Sequence, residues 1–453
     1  MKVLLIDPPE LFLRGLGHTR QVQPLGLAYV GAAIDDIADV RFLLPDTRPY
    51  IGDDPWAELL ATVADEAPDV VAFTAVTATF PTAAVFAAHI KKRWPDIPIV
   101  LGGVHASTLP EHALRDAPAI DYVVRGEGEA AMRAIIEGLD GPHIRDPAAI
   151  AGLYYRVDGD IKAAPPRPVI RDLDTIAFPK RDGFVWPDDI GEGLYQAVVT
   201  LRGCPYKCIY CAVPSLDDTR TRYRSPANVA DEIQALRDRF GIDYLFFHDS
   251  VFTLHRKRTL ALCAELVDRG LVIPFCIQTR ADRLDPELLD ALVAAGLHQV
   301  FFGIESGDAR SLKLIRKQMP LQTIRDAVAM VRARDIRTSG FFMVGFPWQD
   351  AALMRQTADF ATQLDLDAVS LFSATPLPGT ELWDMASADS RGHVAVPDSI
   401  DFRAPQVNLT SLPADEYAAL YNEIKGRIDG YNQERMMAKL ARIDWMALPE
   451  ASP

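Results

Sequence analysis

The chain has 453 residues, of which 49% are hydrophobic and 24% charged, enough to bury two substantial cores and unlike a disordered polymer. Its 62 acidic residues against 47 basic ones give a formal charge of -15, which argues against nucleic acid as the main partner and suits a cationic one through long-range attraction. Five cysteines are an odd number and three of them lie within eight residues, a distribution that fits a metal site better than a disulfide framework.

The first apolar run, Lys2-Val3-Leu4-Leu5-Ile6, is ended by Asp7-Pro8-Pro9. It is too short for a signal peptide or a membrane span, so a cytoplasmic protein with no membrane partner is expected. Strand-like runs then occur at 40–44, 70–73, 99–102 and 122–124 with helical patterns between them. Five such strands predict a doubly wound α/β domain over residues 1–140. Residues 141–195 are rich in Pro, Asp and Gly and read as a linker, with one hairpin around 154–160.

A second series of strand patterns follows at 198–201, 244–247, 272–277, 300–304, 340–344 and 369–372. Six β/α units predict an open partial barrel over 196–385 in place of a closed eightfold one. The remainder, 386–453, holds one long helical pattern at about 413–441 and reads as a small helical cap. Cys263 and Cys276 fall in a predicted helix and strand, where a small buried hydrophobe is the plainer reading.

The segment Leu201-Arg202-Gly203-Cys204-Pro205-Tyr206-Lys207-Cys208-Ile209-Tyr210-Cys211 follows the first strand of the second series. Three thiolates spaced C-x3-C-x2-C on a loop at a strand's carboxyl end can each bind one iron of a [4Fe-4S] cluster, leaving the fourth iron open. The alternative is a structural zinc site or reactive thiols. Zinc of that kind wants a fourth ligand nearby, and the next cysteine is Cys263.

This spacing, with an aromatic residue before the third cysteine, resembles the hallmark of the radical S-adenosylmethionine (SAM) superfamily, and the resemblance runs through the second series. It implies that Cys204, Cys208 and Cys211 hold the cluster, whose open iron is chelated by SAM and whose electron yields a 5'-deoxyadenosyl radical. It also implies an electron donor of flavodoxin or ferredoxin type. Tyr210 inherits the place beside the adenine. The expected SAM contacts are Asp249 and Ser250 after the second strand, Gln278 and Arg280 after the third, and Glu305 and Ser306 after the fourth. Gly345 and Pro376 follow on the fifth and sixth.

Residues 1–135 resemble the cobalamin-binding domain that precedes the barrel in one radical SAM subclass. The likeness lies in Asp7-Pro8-Pro9, Pro24-Leu25-Gly26-Leu27-Ala28-Tyr29, Gly102-Gly103-Val104-His105 and Gly126-Glu127-Gly128-Glu129. Such glycines let a backbone approach a flat ligand, and they serve tight turns equally well. The cobalt-ligating string Asp-x-His-x-x-Gly does not occur; its nearest match runs from Asp46 to Gly52 with Arg48 in place of the histidine. His105 is the one histidine in a suitable loop, where a structural role is the stronger expectation. Cobalamin is therefore an open expectation.

Two reactions compete. In one, a substrate radical collects a methyl group from cobalamin. In the other, a 1,2-diol radical loses water without cobalamin, as in the radical SAM diol dehydratases of aminoglycoside biosynthesis, which this chain also resembles. The short carboxyl-terminal region, the acidic balance and the opening Asp7 to Arg14 weigh slightly for the dehydratase. That reading brings a cationic aminosugar as the small-molecule substrate and a separate reductase acting on the product. Dehydration needs an acid and a base, and Glu10, Tyr206, Asp249 and Glu305 are the candidates by position.

Overall fold

Val3, Leu4, Leu5 and Ile6 are each 0% exposed, so β1 (Lys2–Ile6) is covered on both faces, as a central parallel strand must be. Val3 and Leu5 join one apolar core and Leu4 and Ile6 the other, the alternation that a strand imposes. The structure, a computed structural model, describes residues 1–9, 23–45, 55–189, 192–216, 220–388 and 401–440. It divides into two units: Met1–Phe252 with Ala261–Pro274 and Pro376–Asp401, and Thr253–Leu260 with Phe275–Thr375 and Phe402–Pro453.

In the first unit, β1 lies between β2 (Asp39–Leu43) and β3 (Val70–Thr74), followed by β4 (Ile99–Gly102) and β5 (Tyr122–Val124), all parallel. The order β2-β1-β3-β4-β5 is that of a doubly wound sheet. After a small hairpin of β6 (Leu139–Asp140) and β7 (His143–Ile144), the predicted second hairpin appears as β8 (Leu153–Val157) and β9 (Asp160–Ala163). It adds antiparallel to β5. At the other edge, the backbones of Gly183 and Val185 hydrogen-bond to Phe42 of β2. Residues 141–195 thus cover both edges of the sheet, a use of the segment that its loop-like composition does not reveal.

The second series begins in the same unit with β10 (Ala197–Val198), β11 (Leu201–Arg202), β12 (Arg222–Tyr223) and β13 (Leu245–Phe247). The helix Pro226–Phe240 starts at Ser225, whose hydroxyl accepts from the Asn228 amide, and stops at Gly241 with φ 63°. A buried polar network ties this helix to Gln23 and to Tyr29 of the helix Leu25–Ile34. Arg181 pairs with Glu232 at 3.1 Å and donates to Gln23, while Arg224 pairs with Glu232 and reaches the Tyr29 hydroxyl at 3.4 Å.

The second unit carries β14 (Phe275–Thr279), β15 (Leu297–Glu305), β16 (Arg337–Val344) and β17 (Ala368–Ser373), parallel and in chain order. β14 starts later than the apolar run at 272, because Pro274 has no N–H to give to a ladder. The predicted terminal helix is Ala414–Leu440. It buries Tyr417 and Tyr421, and its Asn432 side chain bonds both N–H and C=O of Val369 at 2.8 Å, which closes part of the β17 edge. No helix among the described residues is long and apolar enough to cross a membrane.

Candidate functional site

The apolar run 198–201 is one strand by sequence and two in the structure. β10 pairs with β13, then the chain leaves the sheet and β11 pairs antiparallel with β12. The cause is Asp249, two residues past β13. Its carboxylate accepts from the Thr200 amide at 2.7 Å, the Thr200 hydroxyl at 2.5 Å and the Leu201 amide at 3.1 Å. Gly203, at φ 88°, then turns the chain into Cys204.

Cys204 is buried and Cys208 and Cys211 are half-buried, none of them in a disulfide. The Cys211 amide donates to the Cys208 carbonyl at 3.1 Å, and Leu382 donates to the carbonyl of Ile209 at 2.9 Å, so the loop is braced from two directions. Among the described residues no three His, Cys, Asp or Glu side chains gather as for a single ion. Zinc draws all its ligands to one point, whereas each thiolate of a [4Fe-4S] cluster binds a different iron and stands farther from the others. The donor set, three thiolates on one loop, fits the cluster.

Tyr206 and Tyr210 are half-buried on this loop, Ser250 is exposed and Pro376 is buried in the same unit. Asp249 is 1% exposed and its oxygens hold the cluster loop. These bonds give Asp249 an anchoring part at the entry to the loop. Glu10 and the string from Asp46 to Gly52 lie outside the described residues.

The other expected SAM residues are in the second unit. Gln278 is half-buried near the end of β14. Arg280 makes two 2.9 Å bonds to Asp282 and one of 2.8 Å to the Lys317 carbonyl. Burial works against the charge of Asp282, but the Arg280 bonds outweigh it and hold its carboxyl low. Glu305 ends β15 at a bulge with φ 76° and pairs with buried Lys317 at 3.1 Å. A left-handed Glu is a strained position worth noting at a functional site. Ser306 meets the Thr357 hydroxyl at 3.1 Å, and the Gly345 amide donates to Gln349 at 2.8 Å. Lys317, Thr357 and Gln349 were missed by sequence reasoning, since nothing in their spacing ties them to these loops. The buried thiols Cys263 and Cys276 are core residues, and burial pushes the Cys263 thiol up to about 12.

At the carboxyl edge of the first sheet lies a cavity of about 480 Å³ lined by Ser107, Arg125, Gly126, Tyr154, Arg167 and Ser215 among others. Gly126, at φ 86°, faces open space. A glycine-edged cavity at this edge fits part of a large planar ligand such as a corrinoid. His105 does not line it. The ring is 0% exposed and stacks on Phe80 at 4.0 Å, with Nδ1 3.4 Å from the Thr77 hydroxyl, and burial lowers its pKa to about 4. It sits in the helix Gly103–Thr108 and packs in the core, and its Nε2 is buried with no hydrogen-bond partner among the described residues, where a satisfied loop histidine was expected.

The loop after β5 carries Glu127, and Glu129 opens the helix that follows, Glu129–Gly138. Arg202 forks across them, reaching Glu127 at 3.0 Å and Glu129 at 2.5 Å. Arg222 binds Glu127 at 2.7 Å, and the Ile170 amide donates to it at 2.7 Å. Burial opposes the charge of Glu127, yet these bonds prevail and keep its carboxyl below the usual range.

Comparison with known proteins adds to this geometry. Residues 198–361 match the Radical SAM superfamily and residues 19–136 the B12 binding domain. An uncharacterized methyltransferase of Pyrococcus horikoshii is 32% identical over 86% of this chain and 84% of its own length. An anaerobic magnesium-protoporphyrin IX monomethyl ester cyclase of Rubrivivax gelatinosus is 30% identical over 84% of this chain and 69% of its own. The fold is similar to that of the radical SAM methyltransferase TsrM of Kitasatospora setae, with TM-score 0.70 and 23% identity over 85% of this chain and 76% of TsrM. The expectation of diol dehydration is corrected here: beside the cyclase, several relatives are named methyltransferases or a methylase. The lyase assignment falls with it. The chain belongs to the radical SAM superfamily, in the subclass with an amino-terminal B12-binding-like domain, and is an enzyme that uses a [4Fe-4S] cluster and SAM with an electron donor and a small-molecule substrate.

Proposed function

We propose that the protein is a cobalamin-dependent radical SAM methyltransferase acting on a small molecule. The observation that carries this reading is the presence of both matches in one chain that is 32% identical to a relative named a methyltransferase over 84% of that relative. The glycine-edged cavity supports a corrinoid in the first domain. Residues 1–140 would form that domain, 141–195 the connection, 196–385 the barrel and 386–453 the cap.

When bound, the cluster supplies the electron for reductive cleavage of SAM, and the corrinoid supplies the methyl group. Cys204, Cys208 and Cys211 hold the cluster, and Asp249 sets the start of their loop through Thr200 and Leu201. Tyr210, Ser250 and Pro376 of the first unit keep the SAM-contact role that the resemblance implies, as do Gln278, Ser306 and Gly345 of the second. Arg280 and Glu305, each fixed by a charged partner, present groups already oriented before SAM arrives. Glu10, Tyr206, Asp249 and Glu305 are the candidates for handling a substrate proton. The aminosugar and the separate reductase belonged to the dehydratase reading and are not part of this one.

The test is anaerobic purification with cobalamin supplied, followed by the visible spectrum and product masses from a panel of small molecules. A stoichiometric corrinoid and a product heavier by one CH2 are expected. A corrinoid-free protein that still cleaves SAM would sink the proposal.

A further inference from the structure

We infer that Glu127 is a positioning residue that ties the corrinoid-binding edge of the first domain to the cluster loop through Arg202. This deepens the methyltransferase reading and rests on it for the corrinoid alone.

Arg202 stands two residues before Cys204, with only Gly203 between them. Its guanidinium is held on three sides by the first domain: Glu127 from the loop after β5, Glu129 from the start of the helix Glu129–Gly138, and the ring of Tyr29, 4.9 Å beneath it, from the helix Leu25–Ile34. A planar guanidinium gripped by two carboxylates and an aromatic face has one favoured orientation, which a lysine could not reproduce. Glu127 is itself overdetermined. Arg222, paired with Arg202 across the β11–β12 ladder, binds the same Oε1, and the Ile170 amide binds Oε2. Arg222 also donates to the Ile170 carbonyl at 2.6 Å, and Arg167 to the carbonyl of Glu127.

The position of one carboxylate is therefore shared by three segments: the cavity-lining loop 125–127, the connection near 170, and the strand that enters the cluster loop. The side chains involved are 8–17% exposed, so water screens these pairs weakly. The same loop, Glu127 included, lines the cavity of about 480 Å³. Displacing this carboxylate would move the cavity edge and Cys204 relative to each other, and a misplacement of about 1 Å at a reacting centre can cost a hundredfold in rate.

The test compares full-length wild type, Glu127→Gln and Glu129→Gln, purified anaerobically and cluster-reconstituted, each with and without cobalamin. Four properties are read: iron per chain, the EPR line shape of the reduced cluster with SAM, the rate of 5'-deoxyadenosine formation per cluster, and Tm. Glu127→Gln is expected to change the line shape and to slow SAM cleavage by up to about a hundredfold. In protein loaded with cobalamin and poised in the Co(II) form, it also changes the magnetic coupling between corrinoid and reduced cluster. Glu129→Gln frees one arm of Arg202 and leaves Glu127 paired, so it shifts the same readouts less, and it decides the matter if the first variant does not fold. A lowered Tm with unchanged line shape and unchanged cleavage per cluster in the folded variants would overturn the inference and leave a stabilising ion pair. A wild type that takes up no corrinoid would sink the methyltransferase reading, while the cobalamin-free readouts still decide the role of Glu127.

Discussion

The carboxylate of Asp249 accepts hydrogen bonds from both the amide and the hydroxyl of Thr200, at 2.7 and 2.5 Å. With Leu201 added, it diverts the chain out of one sheet and into the cluster loop. Asp249→Asn would turn an NH2 toward these donors and leave at least one unsatisfied. We expect a loss of about 1–3 kcal/mol in stability and a cluster lost more readily during anaerobic gel filtration. Wild-type Tm and iron retention in this variant would refute the anchoring role.

That residue also shows where the sequence stops being legible. The five parallel strands of the first sheet and the longer strands of the second series were readable because their apolar runs are short and regularly spaced, whereas the two-residue strands β6, β7 and β12 carry no such run; C-x3-C-x2-C identifies its own chemistry. The break in the run 198–201 was not readable, because its cause lies 48 and 49 residues away at Asp249. Lys317 was missed for the same reason, since a cation 12 residues past Glu305 has no local pattern. Arg202 and Glu127 were both quoted within motifs, but their pairing over 75 residues exists only in the fold.

A Cβ added at Gly303 would lie 2.9 Å from both Glu305 Oε1 and Lys317 Nζ. Gly303→Ala therefore pushes apart a buried pair whose carboxylate is already in a left-handed conformation. SAM binding, measured by equilibrium dialysis on the reconstituted protein, is expected to weaken roughly tenfold, comparable to one charged hydrogen bond. Unchanged affinity would place Glu305 away from SAM.

His105 predicts a pH dependence. Its folded pKa is about 4 because burial disfavours the charged ring, against about 6.5 when unfolded. Between these values the unfolded chain binds more protons, so stability falls as pH drops from 6.5 and the loss is complete below about 4. The size is about 3 kcal/mol. His105→Phe should flatten the profile of Tm against pH in that window. It should also leave the EPR spectrum of any bound corrinoid without loss of a nitrogen coupling, whereas such a loss would make His105 a cobalt ligand.

Cys204→Ala, Cys208→Ala and Cys211→Ala should each abolish 5'-deoxyadenosine formation and leave well under the wild-type iron content. Retention of a full cluster by any one of them would mean that another residue serves as its ligand.

The network around Glu232 bears on how this chain is made. Tyr29 meets Arg224 across 195 residues of sequence, and Gln23 meets Arg181 across 158. The first sheet emerges from the ribosome long before the groups that complete one of its helices, and contacts of such long range form late. A nascent or truncated amino-terminal half would display its unpaired polar groups and an uncovered helix face, a natural target for chaperones. Exchange of this half between relatives would carry the same liability unless Arg181, Arg224 and Glu232 travelled with it.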